Sequence, residues 1–172
     1  MLNNEPQWVA IYTRARAEKQ VDARLKQMGY ESYLPIRREK HKWKDRTKMV
    51  DVPLMSSYVF VKIRGKDVVP VRSVDGVSWI VAFGNVIQTI PEWQIEGMRR
   101  FLASEQRLFV KQDNALKRGA MVKIVSGHFT GLRGELVSNC KEGNFSIRIN
   151  ALSMMIVTEI DKGLLEPILD EK

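Results

Sequence analysis

The chain of 172 residues has one cysteine, Cys140, and two histidines, His41 and His128. A lone cysteine closes no internal disulfide, so a reduced, cytoplasmic setting is expected. These residues fall short of the usual structural zinc sites, and neither a metal nor a cofactor is expected. No nucleophile pattern surrounds His41 or His128, and Cys140 sits in Ser138-Asn139-Cys140-Lys141 with no histidine beside it. A non-enzymatic role is the expectation. Long apolar runs are also missing. The longest, Trp8–Tyr12 and Trp79–Phe83, fall far short of the roughly 20 residues that span a bilayer. Met1–Gln7 carries Glu5 and Pro6 and no apolar core, which excludes a secretory signal in that stretch. Aromatic residues make up 8% of the chain, yet the hydrophobic fraction of 44% is ordinary for a globular protein. The length fits one domain or two small ones.

Basic residues are what the chain has in excess. The net charge is +8 and the pI about 9.7. Residues 1–66 hold 15 lysines and arginines against 7 acids, whereas residues 67–172 hold 13 of each. The whole excess therefore lies in the first part, which points to an anionic partner, nucleic acid foremost. The densest stretch is Arg37–Lys48, with seven basic residues and two acids. Within it Arg38, Lys40, Lys42, Lys44, Arg46 and Lys48 recur every second residue. In an extended chain that period places them on one side. A protruding hairpin with a basic face and Trp43 near its tip is expected, the alternative being a flexible charged loop. Each phosphate it contacted would add about −0.9 to the salt-dependence slope.

Ala17–Met28 carries apolar residues at Ala17, Val21, Leu25 and Met28, the stripe of one helix, with Gly29 placed to end it. Arg16, Gln20, Arg24 and Gln27 form a second row of donors without an acid. Such a row is either a solvated face or a nucleic-acid contact. Strands are expected at Trp8–Thr13, Tyr30–Pro35, Tyr58–Ile63 and Val77–Phe83, with a short helix over Gly65–Ser73 and a longer one over Glu92–Leu108. Ile95, Met98, Phe101 and Leu102 form the apolar face of the longer helix. The order β-α-β-hairpin-β-α-β-α gives an α+β sandwich, helices on a mainly antiparallel sheet. The pattern changes near residue 110. Residues 111–118 (KQDNALKR) read as a polar linker between a domain over 1–110 and a second over 119–172. The second consists of short strands with glycine turns, Gly127, Gly131 and Gly134 among them, and is expected to form a small SH3-like barrel of about five strands.

These features together resemble the NusG family of transcription elongation factors. The first domain is similar to the NusG N-terminal domain at Trp8 and Tyr12, at Pro53-Leu54-Met55 before Tyr58-Val59-Phe60-Val61, at Gly76-Val77 and at Phe83-Gly84. The second resembles a KOW motif in Val122-Lys123-Ile124 with Gly127, Phe129, Gly131 and Gly134. The opening Trp-x-x-x-Tyr-Thr-Arg and the basic insert look more like the specialised RfaH- and UpxY-type antiterminators of polysaccharide operons than housekeeping members. The resemblance implies a monomer that binds the clamp helices of the largest RNA polymerase subunit through Tyr12, Tyr58, Phe60 and Phe83, and suppresses pausing or termination. It implies contact with the non-template strand or upstream DNA through Arg14, Gln20 and Arg24; the polar row adds Arg16, and the basic period of the insert adds Arg38, Lys40, Lys42, Lys44 and Arg46 as further nucleic-acid contacts. Val74-Asp75 stands where one relative has Thr-Arg, and Asp75 would repel phosphate. A ribosomal protein is the implied partner of the KOW domain. The aromatic and arginine that bind Rho in housekeeping members align with Leu152 and Met154, so Rho binding is not carried over. Strand-forming Val122, Ile124, Ile147, Ile149 and Ile156 favour β structure there over a helical refold. An RNA- or ribosome-associated KOW protein is the alternative reading.

Overall fold

A computed structural model describes residues 2–42, 46–104, 108–112, 119–137 and 144–168. The chain divides into two compact units, Met1–Ile90 and Pro91–Lys172. In the first, strands β1 (Gln7–Thr13), β2 (Glu31–Tyr33), β5 (Tyr58–Ile63) and β6 (Val77–Ile80) form an antiparallel sheet in the order β2-β5-β1-β6. Strand β9 (Thr89–Ile90) pairs with β1 at Trp8 and Val9. Helices α1 (Glu18–Gln27) and α2 (Val68–Arg72) supply Val21, Leu25 and Val71 to a buried cluster with Val9, Ile11, Val59, Val61 and Ile80 of the sheet. Alternation sends the next residues, Trp8, Ala10, Tyr12, Tyr58 and Phe60, to the opposite face.

Strands β3 (Ile36–Lys42) and β4 (Thr47–Pro53) form the expected basic hairpin as a separate two-stranded ribbon. Its tip residues Trp43, Lys44 and Asp45 lie outside the described residues. A second small hairpin joins β7 (Ala82–Phe83) to β8 (Val86–Ile87) around Gly84 at φ 57°. The strand expected over Val77–Phe83 is thereby split. Met28 also departs from expectation: the apolar stripe of α1 ends at Leu25, and Met28 is exposed beside Gly29.

The second unit begins with α3 (Glu92–Ala103), shorter than the expected helix. The Ser104 hydroxyl donates to the Phe101 carbonyl at 2.7 Å and closes its last turn. Strands β10 (Phe109–Gln112), β11 (Met121–Ile124), β12 (Arg133–Val137), β13 (Asn144–Ile149), β14 (Met154–Glu159) and β15 (Leu165–Pro167) pair antiparallel in the order β10-β14-β13-β12-β11-β15. The sheet has six strands rather than about five, and β10 and β15 are its open edges among the described residues, so the expected barrel is not closed. Lys111 and Gln112, read as linker, belong to β10; residues 113–118 lie outside the described residues.

Helix α3 packs within this unit, although its sequence position places it with the first domain. Ile95, Met98 and Phe101 are fully buried. The Phe101 ring meets Phe129 and Phe145 edge-on, with centroids 5.1 and 5.8 Å away. The guanidinium of Arg100 donates to the Thr130 and His128 carbonyls at 3.0 and 2.9 Å. A helix with one apolar face buries it wherever aromatic surface is offered, and β13 and its neighbouring turn offer it here.

Candidate functional site

The antiparallel register sets Tyr12 opposite both Tyr58 on β5 and Trp79 on β6. Their rings form one row across three strands. Tyr12 meets Tyr58 edge-on at 5.2 Å and stacks on Trp79 at 4.3 Å, nearly parallel at 11°. Trp79 remains 53% exposed, and Tyr12 and Tyr58 are half-buried. Burial, followed by the neighbouring Tyr12, raises the Tyr58 hydroxyl above the ordinary tyrosine range. The row is held from behind by a buried carboxylate. Glu18 of α1 accepts the Ser57 backbone N–H at 2.7 Å and fixes Ser57 at φ 64°, while the Ser57 carbonyl accepts the Thr13 N–H at 2.8 Å. Tyr58 and Tyr12 therefore leave a braced turn rather than a free loop.

Two of the four expected docking residues fall outside this row. Phe60 has no solvent exposure and its ring stacks near Tyr33 at 6.3 Å. It is core, because two residues along β5 from Tyr58 the same sheet face is already covered. Phe83 is 60% exposed on the β7–β8 hairpin. No ring contact links it to the row among the described residues. Trp79, absent from the expected set, is the largest exposed aromatic of the site. The β1–β6 register places it directly opposite Tyr12, a pairing that local periodicity does not give.

The second cluster lies at the start of α1. A cleft of about 310 Å³ is lined by Arg14, Arg16, Gln20, Asp75 and Gly76. Arg16, held at φ 63°, and Gln20 are exposed and make no side-chain hydrogen bond or ion pair among the described residues. Arg14 and Arg24 both end on Asp75. Arg14 pairs with Oδ1, and Arg24 Nη1 lies 2.8 Å from Oδ2. Hydrogen bonding and charge from Arg14, then charge from Arg24, hold the Asp75 carboxyl below the usual carboxylate range. Gly76 sits at φ 98°, and a Cβ there would come within 2.7 Å of Val21, which keeps this turn tight against α1.

On the basic hairpin, strand pairing corrects the one-sided row. Lys42 faces Thr47, Lys40 faces Met49 and Arg38 faces Asp51. Opposed residues share a face, so Arg38, Lys40 and Lys42 lie together with Asp51, Met49 and Thr47. Lys48 pairs with His41 and falls on the other face, with Arg37 and Glu39. The chain reverses between an even and an odd residue, and that inverts parity. Arg38 is tied to Asp51 at 3.3 Å, whereas Lys40, Lys42 and Arg46 are exposed. Lys44 lies outside the described residues.

In the second unit Gly127 and Gly131 take φ 84° and 88°, and the Gly131 N–H donates to the Ile124 carbonyl at 2.7 Å. Gly134 has no room for a side chain: a Cβ would stand 2.5 Å from the Phe145 ring and from the Ser146 carbonyl. Phe129 is buried core. Met155 is buried, while Leu152 and Met154 are half-buried. Among the described residues, no group of three or more His, Cys, Asp or Glu is placed to hold a metal ion. No helix among them is long and apolar enough to cross a membrane.

Residues 6–99 match the family model described as NusG, transcription termination factor nusG. The chain is similar to the solved structure "Domain interaction in Thermotoga maritima NusG", at 22% identity and a TM-score of 0.50, covering 95% of this chain and 98% of that one. That likeness supports the fold. A structure of the MjSpt4:Spt5 complex also aligns, at 18% identity over 96% of this chain and 99% of that chain, but its TM-score of 0.33 adds nothing to the fold. No curated protein matches.

Proposed function

The chain belongs to the NusG family, and from that premise we propose that it is an elongation and antitermination factor that docks on RNA polymerase. The observation that carries this reading is the row Tyr58–Tyr12–Trp79, three part-exposed rings in contact, one pair edge-on and one stacked, on a braced sheet face. Rigid aromatic anchors of this kind dominate protein–protein contacts, because they bury much area at little conformational cost. By family resemblance the partner is the clamp of the largest polymerase subunit, and the effect is relief of pausing or termination. Phe83, on its own hairpin, is a candidate outlying contact.

The basic surfaces complete the reading. Arg16 and Gln20 beside the cleft, with Lys40, Lys42 and Arg46 of the hairpin, are exposed donors able to follow non-template or upstream DNA. The glycine turn of the second unit fits a KOW module that contacts a further protein, a ribosomal protein by resemblance. Service to particular operons, such as those for polysaccharide synthesis, follows from the RfaH- and UpxY-like features. The test is single-round transcription by the cognate polymerase on a template with a strong pause and the native leader. Faster escape, lost on Tyr58→Ala, is the expected result. No effect on that template would sink the reading and favour a KOW protein acting on RNA.

A further inference from the structure

Arg14 and Arg24 reach one carboxylate from separate elements. Arg14 follows β1, Arg24 lies on α1, and Asp75 is in the turn before β6. Arg14 takes Oδ1 and Arg24 takes Oδ2, one guanidinium on each oxygen. The two free oxygens of a phosphodiester would offer the same pair of acceptors. The carboxylate is not needed to hold the turn. Arg24 also donates to the Asp75 backbone carbonyl, Arg14 N–H donates to the Gly76 carbonyl at 2.9 Å, and Gly76 is packed on Val21. The Asp75 side chain is 67% exposed, so its partners are open to exchange. On the same face Arg16 and Gln20 are free among the described residues.

We propose that Asp75 is a built-in competitor of nucleic-acid phosphate: its carboxylate occupies Arg14 and Arg24, and a strand gains those arginines only by displacing it. This rests on the reading of the face as a nucleic-acid contact. The consequence is selectivity. A strand that meets only the phosphate donors exchanges one anion for another and gains little. A strand that also fills the cleft beside Arg16 and Gln20 gains contacts the carboxylate does not supply. Asp75 thus suppresses sequence-blind binding on a chain of net charge +8.

The test is binding of the full chain to a labelled single-stranded oligonucleotide of mixed sequence across a salt series. Wild type, Asp75→Asn, Arg14→Ala/Arg24→Ala and the triple variant are compared. Glu166→Gln, which removes an exposed acid elsewhere, controls for net charge. A melting curve checks that each is folded. Release of two arginines should steepen the Asp75→Asn slope of log K against log salt by about 1.4. A fourfold rise in salt would then weaken it about sevenfold more than wild type. The triple variant should lose that extra slope, and Glu166→Gln should keep the wild-type slope. An Asp75→Asn slope equal to wild type overturns the competitor role, as does weaker binding by Asp75→Asn. So does an Arg14→Ala/Arg24→Ala variant whose slope is already flatter than wild type by about 1.4, because both arginines would then be engaged with Asp75 in place. In these three cases the nucleic-acid reading survives. Failure of every variant to bind sinks both.

Discussion

Replacing Trp79 with alanine should separate docking from folding. The ring is 53% exposed, its other face stacked on Tyr12 at 4.3 Å. A tryptophan buries up to about 200 Å², so a partner covering the exposed half removes about 100 Å² more from water. At about 25 cal/mol per Å² that is about 2.5 kcal/mol, or up to about 60-fold in affinity. By the same area arithmetic the stacked half contributes about 2.5 kcal/mol to folding, with about 1 kcal/mol more for the ring pair, so the melting temperature falls and the melt establishes that Trp79→Ala is folded at assay temperature. Phe60→Ala differs in kind. That side chain is wholly inside, and its loss should cost about 3–5 kcal/mol of stability. The assay is pause escape as a function of factor concentration, with a melt for each variant. Trp79→Ala should shift the half-maximal concentration upward by tens of fold while the effect at saturation returns to wild type. Trp79→Phe should recover part of the shift. An unchanged half-maximal concentration for folded Trp79→Ala would refute the claim that the row is the docking surface.

The hairpin faces predict an asymmetry: Lys40→Ala/Lys42→Ala should flatten the salt dependence of DNA binding by up to about 1.8, while Lys48→Ala, on the other face, should leave it unchanged. The largely buried pair of Arg148 and Glu135, joined by three hydrogen bonds at 3.0, 3.0 and 2.9 Å, predicts that Glu135→Gln costs about 3 kcal/mol in a denaturant melt, and that replacing both by apolar residues recovers most of it. Gly134→Ala should lower stability by about 1–3 kcal/mol, because the new methyl meets a backbone carbonyl and the Phe145 ring. Tyr58 is raised above the ordinary value by burial and then by Tyr12, so its contribution to stability is complete below about pH 10 and is lost as the pH rises through the raised value. Ultraviolet titration of Tyr58→Phe should lose one of two late-ionising tyrosines, the other being Tyr30, which burial and then the Asp67 carboxylate raise.

The parts of the fold legible in the sequence are those set by local period. The β1 and β5 strands, the α1 stripe through Val21 and Leu25, and Gly29 ending the helix at φ 85° follow from neighbours a few residues apart. The hairpin was legible too, since alternation over Arg38, Lys40 and Lys42 needs only an extended chain. Its facing was not, because parity depends on which residue pairs across the turn: the pairing of Lys42 with Thr47 puts Lys48 behind the row. The same limit explains the docking set. Alternation puts Tyr58 and Phe60 on one face alike, and only the covering of that face leaves one part-exposed and makes the other core. Trp79 became visible through a register between β1 and β6, strands 64 residues apart at Thr13 and Val77. Helix α3 packs with the second unit, which its own apolar face does not announce, since that face names no partner; Phe129 and Phe145 do that, from residues far along the chain. Asp75 is the sharpest case. In sequence it is a single acid that should weaken a basic face; in space it is the common end point of two arginines, so its charge acts on both and its removal should be felt twice in the salt dependence.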